Sequence, residues 1–127
     1  MAESIVEPLT QRIAKAIEPL QCQYEIILVN DSSPDMSWQK IKSCCARNPN
    51  IKGISLSRNF GQHQAIAAGL SIAGGDYTVG MDCDLHDSPE AIRALLSKAS
   101  QGYDIVMASR ENRKDGAIRR LASRAFH

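Results

Sequence analysis

Apolar residues recur along this chain at two spacings, one typical of helices and one typical of buried strands. From Ile5 to Leu20 they stand three or four residues apart, which predicts a helix with one apolar face. Ser4 and Glu7 form a capping-box pattern at its start. The continuous apolar run within residues 24–30 predicts a strand buried on both faces, as in a parallel sheet. The turn-rich residues 31–35 end that strand.

The same alternation continues to the end of the chain. Further helices are predicted from apolar spacing at Trp38–Cys45, Ile66–Ala73, Ile92–Ala99 and 115–126. Further strands are predicted at residues 51–57, 76–81 and 104–109. Because helices and strands alternate throughout, the sequence predicts an α/β domain with a mainly parallel sheet.

Composition narrows the class of protein. The chain of 127 residues fits one domain. Its 15 basic and 14 acidic side chains nearly cancel, so no nucleic-acid partner is expected. Four cysteines lack both zinc-site spacing and the density of a secreted disulfide scaffold, which indicates free thiols and a cytoplasmic protein. The longest aliphatic run, Ile26–Val29, is far below the roughly 20 residues that span a bilayer.

Candidate chemistry lies in an acidic segment that follows the predicted strand at residues 76–81. Asp82 and Asp84 alternate there, so on an extended backbone both carboxylates can face one divalent cation. Such cations are usually held by one or two carboxylates together with substrate phosphates, which suggests a phosphorylated ligand. Asp31 and Arg58 also stand at predicted strand ends. Ligands of parallel sheets bind beyond these ends, so we expect all four side chains to line one crevice.

Three polar segments follow the predicted strands in order: Ile27–Asp35, Leu56–His63 and Met81–Glu90. Together they resemble the family 2 glycosyltransferases of the GT-A fold, and most closely the branch acting on polyprenyl phosphates, the dolichol-phosphate mannose synthase type. The resemblance implies a Rossmann-like three-layer sandwich and inverting sugar transfer from a UDP- or GDP-linked nucleotide diphosphate sugar. It also implies Mg²⁺ or Mn²⁺ as cofactor.

The resemblance further implies roles for single residues. Asp31 would hydrogen-bond the nucleobase, and Arg58 would lie beside the base or the diphosphate. Asp82 would contact the ribose or the metal and Asp84 the metal, which makes both candidate catalytic residues. The backbone of Cys83 would face the nucleotide, with its sulfur directed away from the metal.

His86 and the C-terminal arginines are two further candidates, and each also has a simpler interpretation. His86 stands where the family often has glutamine and is a candidate metal ligand, or else a solvated loop histidine. The basic C-terminal end matches the position of the family's arginine-rich stretch, which would bind the polyprenyl phosphate acceptor, since guanidinium groups suit phosphate oxygens. Its arginines could instead solvate a terminal helix. They are Arg110, Arg113, Arg119, Arg120 and Arg124.

The chain departs from the family pattern at both ends. It lacks the usual first strand, which lies in the middle of the family's sheet, and the acceptor half would follow His127. We therefore expect residues 1–127 to form a partial nucleotide-sugar-binding domain, inactive by itself, from a protein at the cytoplasmic face of a membrane. The strands containing Tyr24 and Thr78 would have unpaired edges, through which the chain could self-associate.

Two alternatives stay open at this point. One is a binding module that keeps the donor site without turnover, and the other is an unrelated Rossmann-like metal-binding domain. No Gly-x-Gly-x-x-Gly pattern follows a predicted strand, which disfavours a dinucleotide cofactor.

Overall fold

The computed structural model describes residues 2–84 and 87–108, which contain four α-helices and two strands. Short 3₁₀ turns precede α1, follow it and precede α4; they span Ala2–Ser4, Glu18–Leu20 and Pro89–Ala91. In chain order the main elements are α1 (Val6–Ile17), β1 (Ile26–Asn30), α2 (Ser37–Arg47), β2 (Ile51–Ser55), α3 (Gln62–Ile72) and α4 (Ile92–Ala99).

The two strands form a small parallel sheet. β1 pairs with β2 in a register that sets Ile26 beside Ile51 at one end and Asn30 beside Ser55 at the other. The predicted α/β class is confirmed, and the predicted helices within the described residues are present with slightly shifted ends.

Helices cover both faces of this sheet. On one face, the buried side chains of Ile26 and Ile51 join a core with Ile41 and Cys44 of α2 and Val6 of α1. On the other face, α3 lies close to β1, because a Cβ added at Gly69 would stand 3.3 Å from Cγ2 of Val29. The layers are therefore helix, sheet and helix, as expected of the three-layer fold.

Two of the predicted strands are wrong. Residues 76–81 and 104–108 belong to no strand ladder, and Ile105 and Met107 are 81% and 86% exposed. A strand needs a neighbour for its backbone N–H and C=O groups, and apolar composition alone does not supply one. Within the described residues β1 and β2 pair with each other only, so one edge of β1 has no strand neighbour among them.

The predicted capping box is also wrong. α1 begins at Val6 with Ile5 at its N-cap position, and Ser4 lies in the preceding 3₁₀ turn. Oε1 of the Glu7 carboxylate pairs with Nη1 of Arg47 in α2 at 2.8 Å. That hydrogen bond and the nearby positive charge hold the pKa of Glu7 below its ordinary value.

One predicted helix, at residues 115–126, lies outside the described part of the chain. No helix within residues 2–84 or 87–108 combines the length and apolar character needed to cross a bilayer.

The packing of α2 on the sheet predicts a large effect at Gly53 of β2. A Cβ there would lie 2.7 Å from Cγ2 of Ile41 and 3.2 Å from the Trp38 ring. We expect Gly53→Ala to lower the free energy of unfolding by about 1–3 kcal/mol, because α2 must move away from the sheet. Urea unfolding measures this. The matched control is Gly80→Ala, where an added Cβ meets no atom within 4 Å. Equal stability of the two variants would contradict the close contact.

Candidate functional site

The first component of the site is the carboxylate of Asp31, which directly follows β1. Its Oδ1 accepts a hydrogen bond from the Phe60 amide and its Oδ2 one from the Gly61 amide, both at 2.8 Å. Gly61 has φ +94°, a backbone conformation that favours glycine. Asp31 therefore ties the carboxyl end of β1 to residues 58–62, called here the 58–62 segment.

The sheet explains why these groups meet. Since Asn30 is paired with Ser55, the chain leaves β1 and β2 at the same edge of the sheet. The buried side chain of Asn30 shapes the exit from β1, because its Oδ1 accepts a hydrogen bond from the Ser33 amide at 3.3 Å. Ser32 adopts a left-handed conformation with φ +57° in the same turn.

An exposed cation lies on the 58–62 segment. The guanidinium carbon of Arg58 stands 4.7 Å from the centroid of the Phe60 ring, within the range of a cation–π contact. Both side chains are exposed, so the positive charge stays available to an anionic ligand at this edge.

The 58–62 segment also contacts the acidic segment. Nε2 of Gln62, the first residue of α3, donates a hydrogen bond to Oδ1 of Asp82 at 2.8 Å. Asp31, the 58–62 segment and Asp82 are thus joined by direct hydrogen bonds. These hydrogen bonds link the three chain segments that contain the four predicted side chains, Asp31, Arg58, Asp82 and Asp84. The exposed side chain of Asp84 lies two residues beyond this contact.

The extended backbone expected for the acidic segment is wrong. Cys83 and Asp84 lie in a turn, and the Asp82 amide donates a hydrogen bond to Oδ2 of Asp87 at 3.2 Å. Because the preceding residues 76–81 have no strand partner, no ladder holds this segment straight. The two carboxylates of Asp82 and Asp84 are therefore not related by strand alternation.

Beyond the acidic segment, the chain is anchored to α1. Pro89 is fully buried, and Arg12 of α1 pairs with the Glu90 carboxylate at 2.9 Å. The Ser88 hydroxyl also donates to Glu90. The Ser88 hydroxyl, then the Arg12 guanidinium and the residue's own amide, lower the pKa of Glu90 to about 2.

The described part of the chain holds no group of three or more His, Cys, Asp or Glu side chains close enough to bind a metal ion. Asp82 and Asp84 nevertheless offer exposed carboxylate oxygens, the ligand type that Mg²⁺ and Mn²⁺ prefer. Mg²⁺ commonly takes only one or two protein carboxylates, with substrate phosphates and water completing its shell. The donor set therefore fits such an ion when a phosphorylated ligand is present.

Several predicted site residues lie outside the described part of the chain. They are His86, Arg110, Arg113, Arg119, Arg120 and Arg124. In contrast, Cys83 is described, and it is an exposed free cysteine within the turn.

Sequence reasoning missed Gln62 and the pair formed by Arg12 and Glu90. Gln62 follows the turn glycine Gly61 and begins α3, which is a local signal of a residue near the site. Nothing local indicates that its amide reaches a carboxylate 20 residues further along the chain.

An α/β domain with parallel strands between helical layers has a Rossmann-like architecture, in which ligands bind beyond the carboxyl ends of the strands. The sequence matches the family described as glycosyl transferase family 2 over residues 4–125. The chain therefore belongs to glycosyl transferase family 2. Membership implies glycosyltransferase activity for the family domain, and the family generally uses a divalent metal.

The two hydrogen bonds of Asp31 predict that Asp31→Asn loosens the 58–62 segment. Asparagine keeps one acceptor oxygen, and its amide nitrogen would face a backbone N–H. We expect a loss of about 1–2 kcal/mol in the free energy of unfolding, with faster hydrogen–deuterium exchange at residues 58–62. Asp104→Asn, at an exposed residue after α4, is the control. Unchanged exchange in Asp31→Asn would refute this anchoring.

The lowered pKa of Glu90 predicts a pH-dependent contribution to stability. The contribution is complete above the ordinary pKa of 4.5 and is lost as the pH falls through the folded value of about 2. We expect the stability difference between wild type and Glu90→Gln to be constant near neutral pH and to shrink below about pH 4.5. Urea midpoints between pH 7 and pH 2 measure it. A difference independent of pH would be the contrary result.

Proposed function

We propose that this chain forms the donor-binding part of a glycosyltransferase and binds a UDP- or GDP-linked sugar at the edge of the sheet where β1 and β2 end. The observation that carries the proposal is the hydrogen-bonded series from Asp31 through the 58–62 segment to Asp82. It joins parts of all three sequence segments on which the family resemblance rests.

Asp31 has the chemistry to bind a nucleobase while it holds the 58–62 segment. Each carboxylate oxygen has more than one acceptor site, and the amides of Phe60 and Gly61 engage one on each oxygen. A base N–H can use a remaining site. Arg58, resting on the Phe60 ring, supplies a positive charge suited to the base or the diphosphate.

At the other end of the site, Asp82 and Asp84 are proposed to hold Mg²⁺ or Mn²⁺ together with the donor diphosphate. A bound cation would supply neutralisation of the charge that develops on the departing nucleoside diphosphate. The backbone of Cys83, between the two carboxylates, is proposed to face the nucleotide. His86 is proposed as a further ligand.

For the acceptor, we propose a polyprenyl phosphate. Its phosphate oxygen is already an anion, so no general base is required for attack on the sugar. Residues 1–127 would then be the donor-binding part of a longer enzyme that works at the cytoplasmic face of a membrane. The open edge of β1 is proposed as a route to self-association. The proposed acceptor-phosphate ligands are Arg110, Arg113, Arg119 and Arg124.

The proposal predicts metal-dependent nucleotide binding. We expect calorimetric titration of UDP or GDP into the chain to show binding with Mn²⁺ and much weaker binding without it. Asp84→Ala should weaken the Mn²⁺-dependent binding by at least about tenfold, because a carboxylate ligand is lost. Asp104→Ala serves as the control, since Asp104 lies on the exposed segment after α4.

Two results would contradict the proposal. One is the lack of binding of either nucleotide by a chain shown to be folded by circular dichroism. The other is nucleotide binding that neither Mn²⁺ nor Asp84→Ala affects. The second result would favour a binding module without the metal chemistry of transfer.

A further inference from the structure

Gln62 lies between two parts of the site that are far apart in sequence, Asp31 and Asp82. Its side chain donates to Asp82 at 2.8 Å, and its neighbour Gly61 donates its amide to Asp31 at 2.8 Å. A single short segment therefore contacts both the residue that ends β1 and the acidic segment. Because Gly61 and Gln62 are consecutive, only a short stretch of chain separates the two contacts. This limits how much the distance between the carboxylates of Asp31 and Asp82 can vary.

We infer that Gln62 is a positioning residue, which fixes the Asp82 carboxylate relative to Asp31 before any ligand binds. The inference rests on the proposed function, because it assigns Asp82 to the phosphate end of the donor. Gln62 itself is not proposed to contact the nucleotide or the metal.

Asp82 needs such a restraint because no strand ladder supports the residues that lead to it. Residues 76–81 belong to no strand, and Asp82 is exposed. The bond from the Asp82 amide to Asp87 is local to the acidic segment and acts on the backbone, leaving the carboxylate free to rotate. The Gln62 bond acts on the carboxylate and connects it to α3.

The chemistry of the bond leaves Asp82 able to bind a ligand. Gln62 engages one acceptor site of Oδ1, and a carboxylate has further acceptor sites on both oxygens that can bind a cation or a ribose hydroxyl. Hydrogen-bonded partners of this kind orient carboxylates that ligate metals, and their loss commonly costs about tenfold or more in metal affinity. The amide of Gln62 is suited to this role, since it can donate and reaches Asp82 directly.

The experiment compares three variants at positions 62 and 64 of α3. Gln62→Ala removes the donor, and Gln62→Lys keeps a donor of similar reach. Gln64→Ala is the matched control, because Gln64 is an exposed glutamine in the same first turn. Each variant is measured by hydrogen–deuterium exchange of peptides covering residues 79–84 without metal or nucleotide. Each is then titrated with UDP in the presence and absence of Mn²⁺.

We expect Gln62→Ala to speed exchange in residues 79–84 and to weaken Mn²⁺-dependent UDP binding by about tenfold. Gln62→Lys should restore slow exchange but not the Mn²⁺-dependent affinity, since its positive charge competes with the cation at Asp82. Gln64→Ala should match wild type in both measurements. A role limited to helix stability would affect Gln62→Ala and Gln64→Ala alike and would not be rescued by lysine.

The inference is overturned if Gln62→Ala exchanges like Gln64→Ala, or if it keeps wild-type Mn²⁺-dependent affinity. Failure of the wild-type chain to bind UDP or GDP would instead overturn the proposed function. The exchange comparison would still decide whether Gln62 restrains the acidic segment, since it uses neither metal nor nucleotide.

Discussion

The parallel register between β1 and β2 is the constraint on which both the core and the candidate site depend. It sets Ile26 beside Ile51 at the start of the strands, where both side chains enter the core. It sets Asn30 beside Ser55 at the other end, where the chain leaves both strands on one edge. A slip of one residue would turn every side chain of a strand to the opposite face and would also displace the Asp31 carboxylate from the amides it holds. The same pairing therefore fixes packing on α2 and geometry at the site.

Local periodicity was enough to predict the helices and the paired strands, but it could not predict which strands would find a neighbour. The apolar run of β1 is buried by α2 on one face and approached by α3 on the other. Residues 76–81 carry a similar β-forming composition, yet Tyr77 is 55% exposed and no ladder includes it. A strand is stabilised mainly by pairing with a neighbour, and which segments become neighbours is decided only when the sheet assembles. Likewise, the capping box predicted from Ser4 and Glu7 is not formed. The Glu7 carboxylate pairs instead with Arg47, which is 40 residues away and becomes adjacent only when α1 packs on α2.

For the site, the sequence predicted which regions meet but not how they are held. Strand ends of a parallel sheet share an edge, so the proximity of Asp31 and the 58–62 segment followed from the order of β1 and β2. Asp82 follows no strand, and its link to this edge is the hydrogen bond from Gln62. The hydrogen bonds of Asp31 did not follow from that order. The amides that donate to Asp31 are 29 and 30 residues away, and their positions depend on the conformation of the loop between β2 and α3. The Asp31 carboxylate, predicted from resemblance to bind a ligand, has a structural task in the folded chain. It organises the loop beside it.

The two ends of the site are restrained by different kinds of contact. Asp31 sits at the end of a paired strand and accepts two backbone amides, whose positions are set by the 58–62 segment. The acidic segment follows no strand ladder. Gln62 contacts it at Asp82, and beyond it the chain is held by the buried Pro89 and the Arg12–Glu90 pair. A ligand with its own diphosphate and cation would add bonds at this end of the site. On the proposed function, the nucleoside end is therefore formed in advance, while the phosphate end is completed by what binds there. The Gln62 hydrogen bond limits how far that end must move, because it connects the less restrained carboxylate to the better restrained one.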